Sequence, residues 1–195
     1  YDLCLTELVS NGRHAFVVEA GTETGAGLLS EINCAKATQN DIAAIEADAE
    51  EAAKQARSID AAGLRELMYE SFEDPRWDKT AARCFSCGNC TLACPTCFCN
   101  TIEESTDVAC EHAERWRKWD SCFTEPFSYI HGGSVRSSVK SRYRQWLTHK
   151  MAAWVDQFGA LGCVGCGRCI TWCPGKIDIT EEIAALRGVE GRNGG

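Results

Sequence analysis

Several patterns that define common protein classes are missing from this sequence of 195 residues. No apolar run approaches the ~20 residues that a membrane-crossing helix needs, and no signal-peptide pattern opens the chain. The glycine-rich segment 21–27 matches neither the dinucleotide-binding fingerprint nor the phosphate-binding P-loop. No Ser-His-Asp set, paired-carboxylate site or open metal site can be assigned. We therefore expect a cytoplasmic protein, and we expect that the segment 21–27 binds no nucleotide.

The net charge is negative, and the charged residues are unevenly distributed along the sequence. The net charge is −8, with 45% apolar and 25% charged residues, as in ordinary globular proteins. Most acidic residues precede Lys79, whereas the segment 136–150 holds five basic residues and no acidic one. An acidic chain with one basic patch has no general reason to bind nucleic acid. We interpret the patch as a solvated helix face, and docking to an acidic partner is the alternative.

The first segment has the pattern of a small α/β piece. The chain begins at Tyr1 rather than at Met, in residues that already alternate like a strand. We therefore expect it to be part of a longer protein. A β-rich run at 15–18, followed by a helical pattern, predicts that residues 1–40 are the end of a larger N-terminal α/β domain.

The next segment has helical periodicity. Apolar residues from 42 to 59 recur at steps of three and four, and Asp60 is suited to cap a second helix that ends before Pro75. These patterns predict a helical linker or hairpin over 41–79. The remaining segments are predicted to be an α-helical domain over 80–187 and a flexible tail over 188–195.

The clearest helix is predicted over 135–158, from the spacing of its apolar residues. That apolar face consists of Val139, Tyr143, Trp146, Leu147, Met151, Trp154, Val155 and Phe158. The basic residues of the segment lie mostly off this face, which is the basis for interpreting them as solvated.

Fourteen cysteines are the strongest departure from an ordinary composition. Eight of them form two copies of the pattern C-x2-C-x2-C-x3-C-P, which bacterial-type ferredoxins use to bind [4Fe-4S] clusters. The copies are Cys84-Phe-Ser-Cys87-Gly-Asn-Cys90-Thr-Leu-Ala-Cys94-Pro95 and Cys163-Val-Gly-Cys166-Gly-Arg-Cys169-Ile-Thr-Trp-Cys173-Pro174. The sequence therefore predicts two [4Fe-4S] clusters.

The spacing within each copy follows from the shape of a cubane cluster. Three cysteines at three-residue steps in a tight loop reach three corners of one cube, and Gly88, Gly165 and Gly167 permit the turns. The fourth cysteine lies one helical turn further on and faces the other cube, so the two cubes lie close together. One cluster is predicted on Cys84, Cys87, Cys90 and Cys173, and the other on Cys163, Cys166, Cys169 and Cys94.

A zinc scaffold is the structural alternative, because a single C-x2-C-x2-C run also suits zinc. Two complete runs, each with its proline, favour clusters. The long stretch between Cys94 and Cys163 contains the clearest helix, which favours a helical dicluster domain over a small βαβ-type ferredoxin. The expected fold class is mainly α: an α-helical dicluster ferredoxin domain with a small α/β N-terminal piece.

Several segments resemble a known group of proteins. They are Thr91-Leu-Ala-Cys94-Pro95-Thr96-Cys97-Phe98-Cys99, Ser121-Cys-Phe-Thr-Glu125, Ser128-Tyr-Ile-His-Gly-Gly133 and Arg142-Tyr-Arg-Gln-Trp-Leu-Thr-His-Lys150. With them the sequence resembles the iron–sulfur β subunit of cytosolic NAD(P)-linked nickel–iron sulfhydrogenases, and it is similar as well to the 4Fe-4S dicluster subunit of anaerobic sulfite reductase. The resemblance covers most of 74–182. It departs at Pro174-Gly-Lys-Ile, which includes no ligand.

The resemblance implies an electron-transfer subunit of a hetero-oligomer. Such a subunit relays single electrons between a flavin subunit that meets NAD(P)H and a partner that holds the terminal catalytic centre. A hydrogenase subunit is the expected partner, and a sulfite reductase subunit is the alternative. A rival from another class is a thiol-based catalytic subunit of heterodisulfide-reductase type that uses Cys97 and Cys99. We expect neither nucleic-acid binding nor membrane insertion.

Six cysteines lie outside the two motifs: Cys4, Cys34, Cys97, Cys99, Cys110 and Cys122. The first two are interpreted as packing residues. The other four are interpreted as buried structural thiols, with a third metal centre or an effect on the nearby cluster as alternatives. Trp146, Trp154 and Trp172 are predicted to pack around the clusters and exclude water.

Overall fold

The computed structural model describes residues 1–10 and 12–188, so the predicted tail beyond Gly188 lies outside the described residues. The chain forms two compact units, Tyr1–Ala56 and a second unit that begins at Arg57. This division differs from the predicted boundaries at 40 and 79. More of the described residues lie in helices than in strands, and the strands pair only into two-stranded sheets.

The first unit is a β-hairpin with two helices. Its elements are β1 (Leu3–Ser10), β2 (Arg13–Ala20), α1 (Glu23–Glu31) and α2 (Gln39–Ala53). The strands are antiparallel, with Leu3 opposite Ala20. Thr22 and Thr38 cap the two helices through side-chain oxygens that accept backbone N–H groups. The periodicity of residues 42 to 59 predicted a helix that runs to Ile59, but α2 ends at Ala53, inside the first unit.

The second unit contains both cysteine motifs. Its elements are α3 (Leu64–Glu70), α4 (Arg76–Ala81), α5 (Asn89–Leu92), β3 (Asn100–Thr106), β4 (Ala113–Trp119), β5 (Tyr129–Ile130), β6 (Gly133–Ser134), α6 (Val139–Thr148), α7 (Trp154–Phe158), α8 (Arg168–Thr171) and α9 (Ile179–Leu186). A short 3₁₀ turn spans Pro126–Ser128, and a π-helical segment spans His149–Ala153.

The predicted long helix is confirmed as a continuous run from α6 through the π-helical segment to α7. Ser138 begins it by accepting the backbone N–H of Ser141 at 3.1 Å, and Gly159 ends it with φ of 73°. The middle of the predicted apolar face, Tyr143, Trp146, Leu147 and Met151, lies in the core, whereas Phe158 at its end is 57% exposed. The core is completed by Leu64, Met68, Trp77, Phe123, Ile177, Ile179, Ile183 and Leu186.

The helices α4 and α9 are joined through a buried carboxylate. The Glu182 side chain is 1% exposed and accepts hydrogen bonds from Arg76, Thr80 and Arg83. Since Arg83 directly precedes Cys84, this network fixes the start of the first motif relative to the helix that follows the second. Asp60 was predicted to cap a helix, but it accepts from Ala62 in the turn before α3, which begins after Gly63.

A hairpin of β3 and β4 extends from the second unit, and no strand was predicted there. It pairs Asn100 with Trp119 and Thr106 with Ala113, and its side chains are almost all exposed. Over residues 1–10 and 12–188, every helix is too short or too polar to cross a bilayer.

Candidate iron–sulfur site

The two cysteine motifs fold in the same way. In each motif a loop carries the first two cysteines and leads into a one-turn helix, α5 or α8, which carries the third. Gly88 and Gly167 begin these helices with φ of 77° and 70°, a left-handed conformation that side chains with a Cβ rarely adopt. The equivalent backbone shows that both motifs are built to surround the same kind of object.

The helices α5 and α8 pack against each other, and this contact brings the motifs together. The Asn89 side-chain amide donates to the Trp172 carbonyl at 3.3 Å across it. The cysteines that line a recess beside this contact are Cys84, Cys87, Cys90, Cys169 and Cys173. The recess thus contains the four residues that the spacing predicted for one cluster, together with Cys169 of the other predicted set.

The cysteines of the second predicted set interact electrostatically. Burial, together with the nearby sulfurs of Cys163, Cys94 and Cys166, raises the pKa of the Cys169 thiol to about 11. Cys169 in turn raises the pKa of Cys90 in the first set, so these interactions show that the two motifs are adjacent.

The donor set fits a cubane cluster. Within the part of the chain that the structure describes, no three His, Cys, Asp or Glu side chains converge to hold one metal ion. A cubane does not need that convergence, because each of its four irons takes its own thiolate. Burial raises the pKa of Cys84 and of Cys90, so both thiols are protonated at neutral pH until metal displaces the proton. Four thiolates at each site would hold the cluster, which supplies one-electron redox chemistry.

Polar groups contact several of the sulfurs. The backbone N–H of Ser86 donates to Cys84 Sγ at 3.4 Å, and that of Ile177 donates to Cys173 Sγ at 3.3 Å. Cys94 accepts more hydrogen bonds than Cys84 or Cys173. The hydrogen bond from Cys97, together with those from Thr96, lowers the pKa of the Cys94 thiol to about 4. Such contacts stabilise the thiolate form that binds iron.

Lys150 is a residue of this site that the sequence analysis misplaced on a solvated face. Its side chain is 3% exposed, and Nζ donates to Cys94 Sγ at 3.2 Å. Burial lowers the pKa of the ammonium, but the charges of Cys97 and Cys94 outweigh that effect and the pKa is raised. The steps of four from Trp146 to Lys150 to Trp154 were the available signal, since they place Lys150 on the apolar face.

Arg142 is the second basic residue that was wrongly placed on a solvated face. It is 8% exposed and donates to Ser86 Oγ at 3.2 Å, beside the first motif. Lys140 and Arg144 are partly exposed and pair with Asp78 and with the Phe72 carbonyl. Two basic residues of the segment 136–150, Arg142 and Lys150, are therefore buried near the motifs, and Lys140 and Arg144 form pairs nearer the surface.

The extra cysteines fall into two groups. Cys97 lies against Cys94, and Cys99 lies against Cys122. Cys122 is buried as predicted, whereas Cys97 and Cys99 are only partly buried. Cys110 is exposed in the turn of the β3–β4 hairpin, with φ of 57°. Its prediction as a buried thiol is wrong, because the hairpin extends away from the core.

Two other packing predictions are also wrong. Cys34 is exposed rather than packed. Trp172, which directly follows α8, is 58% exposed, whereas Trp146 is buried against the core as expected. Gly25 has a packing role in the first unit, where an added Cβ would lie 1.8 Å from the Asp2 carbonyl oxygen.

These features define a [4Fe-4S] dicluster protein, and residues 83–177 match the family model of the 4Fe-4S dicluster domain. The chain is also 33% identical over 132 residues to sulfhydrogenase 2 subunit beta of Pyrococcus furiosus. It therefore belongs to the sulfhydrogenase-type family of iron–sulfur β subunits. That alignment covers 67% of this chain and 39% of the relative. No solved structure gives a significant match.

Proposed function

We propose that this chain is an electron-transfer subunit that carries two [4Fe-4S] clusters. Cys84, Cys87, Cys90 and Cys173 hold one cluster, and Cys163, Cys166, Cys169 and Cys94 hold the other. The observation that supports this proposal is the packing of α5 against α8, because it brings the cysteines of the two motifs together around one recess. Crossed ligands keep the clusters close, as a relay of single electrons requires.

The exposure of the motif cysteines supports a relay with two ends. Cys87 and Cys166 are the exposed members of their sets, and the other six are partly buried. Each lies near an exposed apolar residue at the same motif position, Phe85 at 71% and Val164 at 63% exposure. An exposed apolar side chain beside a cluster corner suits contact with a partner protein. Electrons enter near one of these corners and leave near the other.

The proposed assembly is a cytoplasmic hetero-oligomer with a flavin subunit that meets NAD(P)H and a hydrogenase subunit. It is supported by the relative, which is named as a subunit of a sulfhydrogenase. The name of the relative favours this assembly over one with a sulfite reductase subunit.

The thiol-based rival has less support. It needs Cys97 and Cys99 to act together, but the Cys97 sulfur lies against Cys94 and the Cys99 sulfur against Cys122. The rival predicts that Cys97→Ser abolishes turnover of the assembled complex while both clusters remain. The relay predicts that this variant keeps turnover within about threefold, because Cys97 holds no iron.

The test is iron and acid-labile sulfide analysis of the anaerobically purified chain, with low-temperature EPR after reduction by dithionite. About eight irons and eight sulfides per chain, with spin coupling between two nearby reduced clusters, are expected. About twelve irons would add a third cluster on the extra cysteines. Zinc without sulfide would contradict the proposal and leave a structural zinc scaffold.

A further inference from the structure

Lys150 has no carboxylate partner among the described residues, although its ammonium group is buried. Its three donors go to Cys94 Sγ at 3.2 Å, Thr96 Oγ1 at 3.1 Å and the Gly162 carbonyl at 3.0 Å. A buried cation is costly unless an anion compensates it. The Cys94 sulfur is the one contacting group that carries negative charge, and it belongs to the ligand set of the second motif.

The backbone holds the ammonium group in this position. Lys150 lies in the π-helical segment, a type of helix distortion that is frequent at functional sites. Its carbonyl accepts the Gly162 N–H at 2.8 Å, so Lys150 and Gly162 are joined by two reciprocal hydrogen bonds. Gly162 directly precedes Cys163, and a Cβ there would lie 2.8 Å from the Trp154 ring. Lys150 thus links the end of the first motif to the start of the second.

The equivalent cysteine of the other motif has no such contact. Cys173 accepts a backbone N–H from Ile177 at 3.3 Å. The buried guanidinium on that side, Arg142, donates to Ser86 Oγ and to the carbonyls of Arg136 and Ser137. Over residues 1–10 and 12–188, Lys150 is therefore the cationic side chain that donates to a motif sulfur.

We infer that Lys150 is a positioning residue that raises the reduction potential of the cluster held by Cys94 and the second motif. The inference rests on the proposed function, because it assigns Cys94 to that ligand set. Reduction adds one negative charge to the site. A fixed positive charge that donates a hydrogen bond to a ligand sulfur stabilises the reduced form more than the oxidised form. The two sites are then unequal, which gives the relay a preferred site for the electron.

The test is an EPR-monitored redox titration of the full chain with both clusters in place, comparing Lys150→Met and Lys150→Gln with the unchanged protein. One of the two couples should become harder to reduce by about tenfold in its equilibrium constant, which is about 59 mV for one electron. Lys150→Arg keeps the charge and should bring that couple back to within about threefold of the original. Lys140→Met is the matched control, because Lys140 lies on the same helix run but pairs with Asp78.

Each outcome decides the inference. Unchanged potentials in Lys150→Met and Lys150→Gln, with both clusters retained, would show that Lys150 only fills space and would overturn the inference. Loss of one cluster in all three Lys150 variants would assign Lys150 to cluster assembly and would also overturn it. The proposed function is judged separately, by the iron content and EPR spectrum of the unchanged chain.

Discussion

The two motif regions share one backbone design but have different surroundings. Gly88 and Gly167 begin equivalent one-turn helices, and Cys94 and Cys173 follow these helices at equivalent motif positions. Around Cys173 the polar contact is a neutral backbone N–H. Around Cys94 it is a buried ammonium group, a threonine hydroxyl and a further thiol.

This difference separates two properties of the molecule. The cysteine pattern of each motif is local, because it lies within a dozen residues. The electrostatic environment of each site is not local, since the residues that set it come from the long helix, far away in sequence. Lys150 and Cys94 are 56 positions apart. Equivalent motifs in sequence therefore need not give equivalent sites.

The largest effect is expected from breaking each crossed ligand in turn. Cys173→Ala should remove the cluster of the first motif and Cys94→Ala that of the second, so each variant loses about four of about eight irons. Iron analysis with EPR of the remaining cluster measures this. The two remaining spectra should differ, because each variant keeps a different site.

The matched control is Cys34→Ala, because Cys34 is exposed in the first unit and should leave the iron content unchanged. If Cys94→Ala and Cys173→Ala retained full iron, the crossed assignment of ligands would be wrong.

The next effect concerns the network that fixes the first motif. Glu182→Ala removes the buried carboxylate that accepts from Arg76, Thr80 and Arg83, so a loss of about 3 kcal/mol in unfolding free energy is expected. Urea denaturation followed by tryptophan fluorescence measures it. Glu181→Ala, one residue away and partly exposed, should change stability by less than about 0.5 kcal/mol. Similar losses of unfolding free energy in Glu182→Ala and Glu181→Ala would mean that the hydrogen bonds to Glu182 make no specific contribution to stability.

Much of the site could be predicted from the sequence because cubane ligation is encoded by short spacings. The same holds for the long helix, where strong apolar periodicity predicted its approximate extent and the buried residues at the middle of its apolar face. The helix ends also follow local chemistry, with Ser138 at its start and Gly159 at its end.

The rest could not be predicted because it depends on contacts between distant residues. A lysine among basic neighbours looks solvated until the fold places Cys94 and Gly162 beside it. The β3–β4 hairpin is likewise hard to detect, because its strands are exposed on both faces and lack the apolar alternation that marks a half-buried strand. Trp172 turned outward for a similar reason, since its direction depends on how α8 packs.

A smaller effect is expected from crowding the second motif alone. Gly162→Ala adds a Cβ that would lie 2.8 Å from the Trp154 ring and 3.0 Å from the Lys150 carbonyl oxygen. We expect a stability loss of about 2 kcal/mol from overpacking, measured in the same urea experiment. Gly27→Ala is the control, because an added Cβ meets nothing within 4 Å in the first unit. Equal stability of the two variants would show that the Lys150–Gly162 contact tolerates displacement.

The smallest effect concerns the hydrogen-bonded thiols of Cys99 and Cys122. The hydrogen bond from Cys122 lowers the pKa of the Cys99 thiol to about 6, so Cys99 is largely a thiolate at pH 7. Cys122→Ala removes that donor, and the pKa should rise toward about 8.5. Alkylation of Cys99 by iodoacetamide at pH 7, followed by peptide mass spectrometry, should then slow about tenfold. Alkylation of the exposed Cys34 serves as the internal control and should not change. If Cys99 is alkylated at the same rate in Cys122→Ala and in the unchanged protein, Cys122 does not stabilise the Cys99 thiolate. Of Cys94 and Cys99, Cys94 would then be the one whose thiolate form is stabilised by polar contacts.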